Sequence, residues 1–208
     1  MNEEKETGRI EAFSDGVFAI AVTLLVLDIK VPRIHDLPPG ARLLPALLQQ
    51  WPTYFAYVTS FLTILVMWVN HHKLFTTIRR TDHWFLLING LLLMGITIVP
   101  FPTALLAEYI QHRDATVAAA VFSGTYVVIA LLFNLLWRYA VYKDRLLGRH
   151  KDKDFIRNIS WQYAMGPLLY VVTFLLAFVN VTASVVLNFL FALFFALPTA
   201  TSASRPRS

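Results

Sequence analysis

The stretch that most constrains this chain runs from Arg9 to Val31, RIEAFSDGVFAIAVTLLVLDIKV, where a polar start gives way to an almost unbroken apolar run. Ile10 to Ile29 is 20 residues, and at about 1.5 Å per residue that length crosses a hydrocarbon core of roughly 30 Å. Yet Glu11, Ser14 and Asp15 fall in its first turns. A carboxylate at membrane depth is costly unless it faces a protein interior or a water path, so this helix is built for more than anchoring.

The rest of the chain is similarly apolar. Of 208 residues, 57% are hydrophobic and 15% charged, more apolar surface than a soluble domain of this size buries, which makes the chain a polytopic membrane protein. The sequence predicts an all-α fold with six transmembrane helices in a single domain over residues 1–200. The spans are Ile10–Ile29, Trp51–Asn70, Trp84–Leu106, Ala115–Val141, Ile159–Val179 and Ala183–Leu197. Trp51, Tyr54 and Tyr57 read as interfacial anchors of the second. Pro100 and Pro102 should end or kink the third, and LLPALLQQ reads as a short helix lying at the interface. Gly90, Gly95 and Gly124 read as packing notches, and Asn134 and Asn188 as interhelical hydrogen-bond partners. The small, polar tail over 201–208 is expected to be disordered.

Orientation follows from Lys and Arg. With the N-terminus inside, Lys5, Arg9, Lys73, Arg79, Arg80, Arg138, Lys143, Arg145, Arg149, Lys151, Lys153, Arg157, Arg205 and Arg207 are cytoplasmic. These are fourteen of the eighteen, against Lys30, Arg33, Arg42 and Arg113 outside. The bias predicts both termini in the cytoplasm. It also accounts for the net charge of +5 as topology, so the partners expected are membrane lipids and no nucleic acid.

Stepping about 100° per residue from Ile20, Gly16, Leu24 and Leu27 fall within about 40° of it, Phe13 and Val31 share the sector, and Thr23 borders it. Asp15 lies about 140° away and Ser14 about 120° away in the other sense. One face is thus a ladder of branched apolar side chains, with the polar pair pointing elsewhere. Such a ladder suits a lipid-facing surface. It equally suits a narrow pore, where a ring of Ile or Leu forms a dewetting constriction. Ala12, Gly16, Ala19 and Thr23 add small-residue positions suited to close helix packing. Periodicity leaves the choice open.

Arg9, Phe13, Ser14 and Asp15 spell RxxxFSD, and with the continuation GVFAIAVTLLVLDIKVP the first helix resembles the prokaryotic members of the transmembrane protein 175 family, which are potassium channels. That resemblance implies a homotetramer around a central pore lined by the first helix of each subunit, in a bacterial plasma membrane. It implies potassium as the permeant ion, no cofactor, and no TVGYG filter, a motif the chain lacks. Carried over by position, the constriction would include Ile20, Leu24 and Leu27, with Thr23 as a hydroxyl layer. Arg9, Phe13, Ser14 and Asp15 would belong to a hydrogen-bonded network on the cytoplasmic side. The second span ends MWVNHHKLF, and Trp68, His71 and His72 are the expected partners of Ser14 and Asp15, because a buried carboxylate needs donors at its own depth. Arg9 lies too far round the helix from Asp15 for a direct bridge and is expected against a neighbouring helix.

Nothing in the chain reads as enzyme chemistry. His71 and His72 diverge by about 100°, and neither HExxH nor a repeated His box occurs, so no metal site is expected. The rival reading is a proton-linked secondary transporter with Asp15, His71 and His72 in the ion path. Against it, no internal repeat is visible and Asp15 sits near one end of its span. A third reading is a membrane scaffold with no transport role.

Overall fold

The structure, a computed structural model, describes residues 3–33, 40, 42–142, 146–147 and 153–197. Among these the chain is all-helical apart from one antiparallel bridge between Ile78 and Leu147. The helices are α1 (Glu3–Leu25), α2 (Leu43–Gln49), α3 (Trp51–Thr77), α4 (His83–Ile98), α5 (Pro100–Tyr109), α6 (Ala115–Val141), α7 (Lys153–Ala177) and α8 (Val181–Ala196). A turn of 3-10 helix, Val26–Asp28, prolongs α1. The tail over 201–208 lies outside the described residues, as do Lys143, Arg145, Arg149, Lys151, Arg205 and Arg207 among the cations that set orientation.

Five segments are long and apolar enough to cross a bilayer: Thr7–Asp28, Trp51–Thr77, His83–Tyr109, Ala115–Val141 and Ile159–Ala177. The sixth, α8, has 16 residues, about 24 Å of helix, less than a typical hydrocarbon core. Helices also overrun the expected spans. Helix α1 begins at Glu3 rather than Ile10, and α3 continues past Asn70 to Thr77, because backbone hydrogen bonding does not stop where apolarity does. The LLPALLQQ segment forms α2, with Leu43, Leu44 and Leu48 exposed.

The third expected span breaks at Val99. Pro100 has no N–H to offer Ile96, and the Val99 N–H donates to the Ile96 carbonyl instead, at 3.2 Å. Buried hydroxyls stitch the break. Tyr126 donates to Ser60 Oγ (3.1 Å), Ser60 and Thr103 share a 2.6 Å bond, and Thr103 donates to the Val99 carbonyl (2.8 Å). The core is built on α6, whose Phe122, Tyr126, Ile129, Leu136 and Trp137 are buried among α4, α5, α7 and α8. Gly95 permits the α4–α6 approach, since a Cβ there would meet Ile129 Cγ1 at 3.1 Å. Gly90, expected as a similar notch, has nothing within 4 Å of such a Cβ. Asn134 donates to the Tyr163 carbonyl and Asn188 to Ser123 Oγ, each on another helix, at 2.8 and 2.9 Å. Helix α1 lies at the edge of this bundle, packed on α3 and α4.

Candidate functional site

Helix α1 has one covered and one uncovered side. Ser14, Phe18, Ala21 and Leu25 are buried against the bundle. On the other side Ile20 is 58% exposed and Leu27 67%, and Phe13 and Leu24 are exposed with them. Ala12, Gly16, Ala19 and Thr23 are exposed too, and a Cβ built on Gly16 would meet nothing within 4 Å. Among the described residues no other helix covers these small positions. The Thr23 hydroxyl donates back to the Ile20 carbonyl at 2.9 Å, which leaves its oxygen free to accept from, or coordinate, something outside the helix.

At the N-terminal end of α1, polar contacts fasten the covered side to α3 and α4. Trp68 Nε1 donates to Asp15 Oδ1 at 2.9 Å. The Ser14 hydroxyl spends its hydrogen on the Ile10 carbonyl, 2.9 Å away, so its oxygen accepts from Asn89 Nδ2 at 3.2 Å. With its amide nitrogen turned to Ser14, Asn89 presents Oδ1 to His71 Nε2 at 2.9 Å. The imidazole must therefore carry its proton on Nε2. His71 is fully buried, within a wall of Phe18, Phe75 and Phe133 rings. Its Nδ1 has no hydrogen-bond partner among the described residues.

Two expectations need correction. His72 reaches neither Ser14 nor Asp15; its Nδ1 meets Glu11 Oε1 at 2.7 Å, because the step from His71 to His72 turns the second ring out of the bundle. His71 likewise reaches Ser14 only through Asn89, while Arg9 is exposed at the start of α1. Sequence reasoning also passed over Asn89, which joins Ser14 to His71. The signal was present: a lone amide in the apolar run FLLINGLLL has to find a partner within the protein. Among the described residues no three His, Asp or Glu side chains converge as metal ligands.

The arrangement is a helix clamped on its polar side and bare on its apolar side. Comparison with known proteins identifies the family. Residues 9–100 match the family model described as endosomal/lysosomal potassium channel TMEM175. The chain is 55% identical to a potassium channel of Chamaesiphon minutus, over 94% of this chain and 96% of that protein. It is 47% identical to a potassium channel of Streptomyces collinus, over 91% of each. A crystal structure of a lysosomal potassium-selective channel TMEM175 homolog from Chamaesiphon minutus superposes with a TM-score of 0.85 at 52% identity, covering 92% of this chain and 97% of that one. With two relatives matched along almost their whole length, this chain belongs to the TMEM175 family, a family of membrane channels and not of enzymes.

Proposed function

We propose that this chain is a potassium-permeable ion channel in which four copies surround a central axis and each contributes α1 to the pore wall. In this reading α1, α3, the α4–α5 pair, α6, α7 and α8 are six spans with both termini in the cytoplasm of a bacterial cell. Potassium is the permeant ion and no cofactor takes part. Ile20, Leu24 and Leu27 form a hydrophobic gate, a constriction that water and ions leave when it narrows. Thr23 offers a hydroxyl oxygen beside it.

The observation that carries this reading is the bare face of α1. It bears two rows, a bulky one of Phe13, Ile20, Leu24 and Leu27 and a small one of Ala12, Gly16, Ala19 and Thr23. Small residues favour close contact between membrane helices, so the small row suits a neighbouring subunit while the bulky row meets its counterparts at the axis. Arg9, Phe13, Ser14, Asp15, Trp68, His71 and His72 then act as positioning residues. Ser14 and Asp15 hold α1 against α3 and α4 from behind, and no ion need touch them. The potassium-channel names of the two bacterial relatives support the same ion.

The test is purified protein in a planar bilayer under a potassium gradient. The expected current reverses toward the potassium potential, and Ile20→Asn raises conductance or lowers potassium selectivity by wetting the constriction. Slow, saturating flux coupled to protons would support a carrier instead. An Ile20→Asn variant that folds and conducts as the parent does would remove Ile20 from the pore.

A further inference from the structure

Two hydrogen bonds set the register of α6 against α7. Trp137 Nε1 donates to Ser160 Oγ and Asn134 Nδ2 to the Tyr163 carbonyl, both at 2.8 Å. They share one antiparallel alignment, because three residues back along α6 is three residues forward along α7. Arg138 therefore lies level with Ile159, and Arg157 about 3 Å nearer the helix ends. Trp161 lies about 3 Å on the membrane side of Arg138. Leu135, Leu131 and Leu168 follow at greater depth on the same scale.

These side chains also share a side. Trp137 and Ser160 face each other across the pair, and in antiparallel helices a step of about 100° onward from each turns toward the same flank. That flank holds Arg138 and Trp161, with Arg157 one turn from Trp161 on α7. All three are exposed, as are Leu131, Leu135 and Leu168. Arg138 and Arg157 thus fall on the flank of an exposed indole, about 3 and 6 Å along the helix axis from it, and an apolar strip continues on its other side. Indoles favour the interface and cations near it attract anionic lipid.

We propose that this flank binds the headgroup of an anionic phospholipid of the cytoplasmic leaflet. Its phosphate sits between Arg138 and Arg157, its glycerol region lies against Trp161, and an acyl chain runs along Leu135, Leu131 and Leu168. The apolar continuation selects a lipid over a free phosphate compound, which would have no use for it. The proposal rests on α6 and α7 spanning a membrane with this end inside and is independent of α1 lining a pore, so lipid binding and conduction fail separately.

The full chain is reconstituted in phosphatidylcholine vesicles containing brominated phosphatidylglycerol or, in a parallel sample, the same fraction of brominated phosphatidylcholine. The signal is the part of the tryptophan quenching that Trp161→Phe removes. The expected result is a several-fold preference for phosphatidylglycerol. Each cation near the surface accounts for up to about fivefold, so Arg138→Gln/Arg157→Gln should bring the preference close to one. Arg113→Gln, at the opposite end of α6, should leave it unchanged. Raising the salt to a Debye length of about 3 Å should weaken it in the parent protein. Equal quenching by the two lipids, a preference insensitive to salt, or one retained in Arg138→Gln/Arg157→Gln would overturn the proposal. If the double variant fails to reconstitute, the salt titration and Arg138→Gln alone decide.

Discussion

Asn89 and His71 allow the clamp behind α1 to be weighed quantitatively. His71 is fully buried, Asn89 is 3% exposed, and their 2.9 Å bond has no water to replace it. Asn89→Leu keeps the volume but leaves the His71 Nε2–H unpaired in an apolar pocket, where the Phe75 and Phe18 ring centroids lie 4.6 and 5.4 Å from that of the imidazole. An orphaned buried donor costs about 1–3 kcal/mol. Ser14 loses only an incoming bond, since its own hydroxyl still reaches the Ile10 carbonyl. His71→Phe should cost less than Asn89→Leu: it orphans Asn89 Oδ1 but removes an Nδ1 that already lacks a partner. Replacing both partners by apolar groups of similar shape can be nearly neutral, so the double variant should be about 1–2 kcal/mol better than the sum of the singles. That lies near the upper end of about 1.7 kcal/mol for interhelical hydrogen bonds in membranes, as suits a fully buried pair. The assay is unfolding of the purified protein by SDS, followed by loss of helical circular dichroism, for parent, two singles and double. Additivity within about 0.5 kcal/mol, or an unchanged Asn89→Leu, would refute the account of the clamp.

Trp68→Phe removes the indole bond to Asp15 from a partly exposed position and should cost about 0.5–1.5 kcal/mol in the same unfolding assay. Asp15→Ala should reduce the yield of assembled oligomer on size exclusion more than it alters ion preference, and a normal oligomer with changed selectivity would contradict that. Gly95→Ala drives a methyl group to 3.1 Å from Ile129 Cγ1 and should lower stability by about 1–3 kcal/mol. Gly90→Ala, on the same helix with open space around it, should be neutral or stabilise by up to about 1 kcal/mol. Equal effects of the two would mean the α4–α6 contact yields freely.

What could be read along the chain was whatever depends on one helix at a time. Apolar length, the Lys and Arg bias, the interruption at Pro100 and the two-sidedness of α1 are all local, because bilayer thickness and helix periodicity act on each segment alone. The RxxxFSD stretch carried the family for the same reason, as a run of adjacent residues. Lateral partners were another matter. Trp68 and Asp15 could be matched by depth, but His72 turned to Glu11, Asn89 entered between Ser14 and His71, and Gly90 left open space where a Cβ would stand. Each outcome depends on which helices stand side by side and how each is rotated. In a membrane that choice leaves little trace in the pattern of apolar residues, since lipid tails and the interior of the bundle are about equally apolar. Only the assembled bundle, where every buried polar group must find its partner on a particular neighbour, decides it.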